Sequence, residues 1–139
     1  MAYDTNNVFA RILRGEIPAH KVYEDEHTLA FMDVMPQAEG HALVIPKAAA
    51  ENLFDLPPEA LAATIQTTQR VARAVQKAFD APGVMIAQLN GAAAGQSVFH
   101  LHFHILPRHA GIELKFHARE MADPKMLAAH AERVRAALA

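Results

Sequence analysis

His100-Leu101-His102-Phe103-His104-Ile105-Leu106 sets three histidines in strict alternation with apolar residues. A period of two is the pattern of a strand with unlike faces. The stretch therefore predicts a strand over residues 100–106, with imidazoles on one side and Leu101, Phe103 and Ile105 on the other. Same-side residues on a strand stand about 6.6–7 Å apart, so one small ligand could span the row. Imidazole is the side chain best suited to proton transfer, nucleophilic attack and metal ligation near neutral pH. A half-buried strand ordinarily carries Thr, Lys or Glu on its polar face, so three imidazoles there call for a chemical explanation.

Outward from the row, Asn90-Gly91-Ala92-Ala93-Ala94-Gly95-Gln96 is a loop of small residues, and Val84–Leu89 before it is an apolar strand. Between Pro58 and Asp80, Leu61, Ile65, Thr68, Ala72, Val75 and Phe79 recur at steps of four and three, predicting one long helix with a single apolar stripe. Pro57 and Pro58 suit its start, and Ala81-Pro82-Gly83 its end. His41–Ile45 is a short apolar strand bounded by Pro46. Lys21–Glu24 and Thr28–Asp33 form a hairpin around Asp25-Glu26-His27. Residues 7–14 form a short helix capped by Asn6 or Asn7 and stopped by Gly15. Asp123 and Pro124 open a last helix with Leu127, Ala131, Val134 and Leu138 on one side. These elements predict an α+β domain with a mostly antiparallel five-stranded sheet, one long central helix, a short N-terminal helix and a C-terminal helix.

The 139 residues, 52% of them hydrophobic, suffice for one self-contained core, so a single domain over 1–139 is expected. A net charge of −2 provides no electrostatic footprint for a nucleic acid polymer. No apolar run approaches the roughly 20 residues needed to span a bilayer. The start, Met1-Ala2-Tyr3-Asp4, lacks a signal-peptide pattern, and a cytoplasmic location is expected. The chain has no cysteine, which removes disulfides, thiolate nucleophiles and thiolate metal ligands together.

Two chemistries compete for the row. Histidines at i and i+2 can share a zinc, with His41 as an outside ligand, but no Asp or Glu sits beside the row in sequence. The preceding loop favours phosphate. Gly95 lets backbone approach a ligand, and Asn90, Gln96 and Ser97 supply neutral hydrogen-bonding groups. A histidine attacking phosphorus uses one ring nitrogen while the other is held by a hydrogen bond.

The row resembles the histidine-triad pattern of the HIT superfamily, His-φ-His-φ-His-φ-φ. The resemblance continues through Gly95-Gln96-Ser97, His41-Ala42-Leu43-Val44-Ile45-Pro46-Lys47, Ala30-Phe31-Met32-Asp33, Asn52-Leu53-Phe54-Asp55-Leu56 and Arg14-Gly15-Glu16-Ile17-Pro18. It covers about residues 8–108 in the family's order, leaving a C-terminal helical extension over about 123–138, and looks like the small bacterial Hint-like and Fhit-like members. It implies a nucleotide hydrolase that attacks an α-phosphate through a nucleotidyl-histidine intermediate, acting on a purine nucleotide conjugate such as an AMP phosphoramidate. On this pattern His102 is the nucleophile, and His100, His104 and His41 orient it or assist proton transfer. Asn90, Gly95, Gln96 and Ser97 hold the phosphate or leaving group. Asp33 and Val34 meet the ribose, and Val8, Phe9 and Ile12 line the base pocket. A homodimer with sheets joined across a two-fold axis is implied.

The substrate stays open at this level. Leu106-Pro107-Arg108 resembles the Fhit-like branch, which points to dinucleoside polyphosphates, whereas the N-terminal half and the size look Hint-like. A nucleotide-binding module with little turnover is the reading from another class. Many bacterial relatives carry a structural zinc on Cys-φ-φ-Cys and two histidines. Here Asn7, Ala10 and Ala49 stand at three of those positions and only His100 remains, so no zinc and no other cofactor is expected. Simpler readings apply elsewhere: Phe9 and Ile12 as core, Asp33 as a strand end, Arg70, Arg73 and Lys77 as a solvated face, and His20, His27, His109, His117 and His130 as exposed.

Overall fold

The computed structural model describes residues 2–115 and 120–138. Helix α1 (Val8–Leu13) starts at Asn7, whose side-chain oxygen accepts the Ala10 N–H at 2.9 Å, an N-cap bond. Strands β1 (Lys21–Glu24) and β2 (Thr28–Met32) form the expected hairpin. The Asp25 carboxylate fixes its turn by accepting the N–H groups of His27 and Thr28 and the Thr28 hydroxyl. Strand β3 (Ala42–Pro46), the long helix α2 (Pro58–Ala78), strand β4 (Gly83–Ala87), strand β5 (Phe103–Arg108) and helix α3 (Pro124–Leu138) follow. The five strands make one antiparallel sheet in the order β1-β2-β3-β5-β4, the α+β architecture read from the sequence.

The two sheet faces are covered unequally. Ala30, Met32, Ala42, Val44, Phe103 and Ile105 pack under Val71, Ala74 and Val75 of α2 and Leu127, Ala131 and Val134 of α3. On the other face Leu29, Phe31, Leu43 and Ile45 meet Phe9, Ile12 and Leu13 of the short α1 and a few loop residues. The histidines belong to this lightly covered side, because His104 stands opposite Leu43 in the β3–β5 register.

Three expectations need correction. The histidine strand begins at Phe103, not His100, and runs to Arg108. Ahead of it the Leu101 N–H turns to the Ala50 carbonyl at 2.8 Å instead of joining the ladder, while Arg108 gains a partner in Gly83. Side-chain alternation survives, since Leu101 packs in the same cluster as Phe103 and Ile105. Of the expected α2 stripe, Thr68, Val75 and Phe79 are buried, and Leu61 and Ala72 pack partly buried against the core. Ile65, by contrast, is 46% exposed, and Thr64, Thr67, Val71 and Ala74 complete the buried face. Threonine can be buried there because Thr64 and Thr68 bond to carbonyls four residues back and Thr67 meets the Thr28 hydroxyl at 2.8 Å. His130 is buried, its ring edge-on to Phe79 at 5.1 Å and its Nε2 3.3 Å from Glu39. Of the other histidines expected at the surface, His27 is exposed, His20 and His109 are half-buried, and His117 lies outside the described residues. Among the described residues no helix is long and apolar enough to cross a membrane.

The loop leading to His41 depends on Gly40. Its φ is +88°, and a Cβ there would stand 2.7 Å from ring carbons of Phe79. Gly40→Ala is therefore expected to cost about 2 kcal/mol from left-handed strain and overpacking together, lowering Tm by about 6–10 °C in a calorimetric scan.

Candidate active site

Four imidazoles converge where β3 and β5 emerge beside α1. His41 precedes β3, His104 lies in β5, and His100 and His102 lie in the extended lead-in to β5. His41, His100 and His102 are buried, and His104 is half-buried. The His102 ring stands edge-on to His104 at 4.8 Å and to Phe9 at 4.9 Å.

The hydrogen bonds assign a tautomer to each ring. Gln37 N–H donates to His41 Nδ1 at 3.0 Å, so the proton of neutral His41 is on Nε2, where it donates to His104 Nδ1 at 2.9 Å. His104 then carries its own proton on Nε2, which makes no hydrogen bond among the described residues. His102 Nδ1 lies 2.7 Å from the His100 carbonyl, which can only accept, so the lone pair of neutral His102 is on Nε2. His100 Nε2–H donates to the Pro46 carbonyl at 2.8 Å, leaving Nδ1 to accept the Tyr3 hydroxyl at 2.5 Å. The result is one acceptor nitrogen, on His102, beside one unused N–H donor, on His104.

Burial keeps the rings uncharged near neutral pH. It lowers His41 to about 3, with the neighbouring His104 and His102 adding to the effect. His100 falls to about 4 through burial, against the Pro46 carbonyl, which favours its protonated form. His104 falls to about 4 for the same first reason, and His102 is also lowered. Burial raises Asp33 to about 6, opposed by the Met35 N–H. Its Oδ2 is 3.5 Å from His41 Nε2. This is a contact between a carboxyl and a neutral ring, not an ion pair, because the His41 proton is already directed at His104.

Asp33, His41 and His104 offer three ligand atoms within 4.8 Å of one another. The donor set does not suit a metal there. Ligation through His41 Nε2 would move that ring's proton to Nδ1, opposite the Gln37 N–H, and leave two donors facing each other. At the positions where the resemblance implies zinc ligands, Asn7, Ala10 and Ala49 offer no thiolate or imidazole, and both nitrogens of His100 are engaged.

The other residues expected at the site divide into those that face it and those that build it. Gln96 is buried. Its Oε1 accepts the Gly91 N–H at 2.7 Å, and its Nε2 donates to the carbonyls of Glu51 and Val98. Asn90 is tied to the Gln88 amide through both of its side-chain ends and accepts the Leu53 N–H. These amides shape the loop, while Ser97 and Gly95 are exposed on it, Gly95 at φ +103°. Asp33 and Val34 follow β2, with Val34 exposed. From α1, Phe9 and Ile12 are buried in the core cluster, and Val8, 38% exposed, remains open to a ligand. Tyr3, the Gln37 N–H and the Pro46 carbonyl were not legible as site groups, because two act through the backbone and Tyr3 has no spacing relation to the row.

The HIT domain family model matches residues 14–111. The chain belongs to the HIT family. A crystal structure of a HIT-like protein of Bartonella henselae, described as involved in cell-cycle regulation and containing an unknown ligand, superposes with a TM-score of 0.92 at 50% identity. That match covers 98% of this chain and 99% of the other. An adenylylsulfatase of Arabidopsis thaliana is 42% identical over 73% of this chain and 51% of its own length. An adenosine 5'-monophosphoramidase of Saccharomyces cerevisiae is 36% identical over 93% of this chain and 81% of its own. The HIT fold and the four-histidine cluster thus coincide in one molecule.

Proposed function

We propose that this HIT protein hydrolyses nucleoside 5'-phosphoramidates or related nucleotide conjugates at the α-phosphate. The observation that carries the reading is His102, whose Nδ1–H is fixed on a carbonyl while Nε2 points its lone pair away unpaired. In the first step Nε2 bonds to phosphorus and the bond from phosphorus to the leaving nitrogen breaks. His104 Nε2–H stands where it can donate to a phosphoryl oxygen or to the departing amine, and His41 holds it in that tautomer. The His100 carbonyl stabilises the positive charge that develops on the His102 ring. Water then attacks phosphorus and passes a proton to His104 Nε2, replacing the one given to the amine; the bond to His102 Nε2 breaks, and the nucleoside monophosphate leaves. Asp33 meets the ribose, Val8 the base, and the Gly95–Ser97 turn the phosphate. None of these steps needs a metal.

The likeness to a yeast phosphoramidase and a plant adenylylsulfatase supports a leaving group attached directly to the α-phosphate. Incubation with an adenosine phosphoramidate and, separately, with a diadenosine polyphosphate tests the assignment. Faster release of AMP from the phosphoramidate is expected. Preferred cleavage of the polyphosphate would move the protein to the alternative substrate class, and AMP bound without turnover of either would make it a binding module.

We also propose a homodimer joined along β4. This is an edge strand, and its Ile86 is 43% exposed beside the 46% exposed Ile65 of α2, an apolar rim that a monomer would leave in water. Light scattering should give twice the chain mass, and Ile86→Asp should give a monomer. A monomeric wild-type mass would end this reading.

A further inference from the structure

The segment before α1 does more than lead into the helix. The Asp4 carbonyl accepts both the Asn7 N–H at 3.2 Å and its side-chain amide at 2.7 Å, and the Asp4 carboxylate accepts the Asn6 N–H at 2.8 Å. Arg14 Nη1 donates to the Thr5 carbonyl at 2.7 Å, tying the segment to the far end of α1. The folded-back turn sets Tyr3, itself half-buried, edge-on against His100 with ring centroids 5.7 Å apart. Its hydroxyl meets His100 Nδ1 at 2.5 Å.

His100 is fully buried, so each of its nitrogens needs a protein partner. Pro46 carbonyl serves Nε2–H, and only the Tyr3 hydroxyl serves Nδ1 among the described residues. The backbone carbonyl of this doubly held residue is the acceptor that fixes His102 Nδ1–H. We infer that Tyr3 is a positioning residue: it pins His100 and, through the His100 carbonyl, sets the tautomer and aim of His102. The inference rests on the reading of His102 as nucleophile, and it makes the N-terminal turn part of the reaction apparatus. Phenylalanine at position 3 would keep the edge-on packing but leave Nδ1 a buried acceptor without a donor. The Pro46 carbonyl still holds the proton on Nε2, so the His100 ring would then gain by tilting Nδ1 out of its buried setting, and its carbonyl would move with it.

Tyr3→Phe, compared with wild type, tests this through steady-state kinetics on an adenosine phosphoramidate and 15N spectra of the imidazole nitrogens. The variant should melt cooperatively, with kcat reduced about tenfold and KM within about twofold, the pattern of a misaligned nucleophile and an intact binding site. The His100 and His102 nitrogen resonances should shift together. An unchanged kcat, or a fall in kcat with His102 resonances unmoved, would overturn the inference. A wild-type protein that turns over no nucleotide would instead end the nucleophile reading, while the His102 resonances would still decide whether Tyr3 holds the ring.

Discussion

Replacing His102 by alanine is expected to lower kcat by at least about 10⁴-fold, the scale on which loss of a covalent nucleophile registers. The size follows from the absence of a substitute. His104 lies beside His102, but its Nδ1 is occupied by the His41 Nε2–H and its free nitrogen carries the proton. For His104 to attack, it and His41 would both have to exchange tautomers against the Gln37 N–H. His100 has both nitrogens engaged and is fully buried. AMP affinity should change by less than about tenfold, because the truncation removes a bond made in the transition state more than ground-state contacts. Rapid mixing should show a burst of leaving group in the wild type and none in the variant. Intact mass spectrometry after acid-free quenching should find a nucleotidyl adduct on the wild type alone. A variant retaining even a tenth of the activity would remove His102 from the nucleophile role.

Acidification should unfold the protein steeply below about pH 5.5, because the site buries its imidazoles uncharged. An unfolded histidine takes up a proton near 6.5, whereas in the folded chain His100 and His104 do so near 4 and His41 near 3. The stability these rings contribute is complete above 6.5. It is lost as pH falls towards the folded values, about 3 kcal/mol each for His100 and His104 and about 5 kcal/mol for His41. Asp33 works in the opposite direction. Raised from 3.8 to about 6, it binds its proton in the folded state first and returns stability between pH 6 and 4, on the order of 3 kcal/mol, offsetting about one ring. The net loss is still comparable to the 5–15 kcal/mol that holds a typical domain together. Guanidinium midpoints measured from pH 7.5 to 4.5 should fall monotonically, with the steepest change below 6. Midpoints unchanged down to pH 5 would mean that the rings are charged or solvated in the folded protein.

Much of the fold was legible because its elements are punctuated locally. Asn7 and Gly15 bound α1, Asp25 closes the first hairpin, Pro58 opens α2 and Asp123 opens α3, each through contacts within a few residues. Of the α2 stripe only Ile65 leaves the packed face, because threonines that a hydropathy pattern does not count take its place. The face that packs is rich in threonine, and its hydroxyls are satisfied by the helix itself and by Thr28. The start of the histidine strand misled for a related reason. Alternating side chains report which face each residue takes, not whether its backbone finds a ladder partner, and Leu101 bonds to Ala50 instead.

By itself the sequence determined that three alternating histidines lie beside a small-residue loop, within a HIT-type order of strands and helices, with no cysteine for a metal. Only the tertiary structure decided which nitrogen of each ring carries its proton. The four rings share one chemistry, and what separates them is the partner of each nitrogen. Those partners are the backbone groups of Gln37, Pro46 and His100 and the hydroxyl of Tyr3, set against the rings by the folding of distant segments. A proton's place on an imidazole is fixed by the nearest donor or acceptor, and residue spacing carries no record of that.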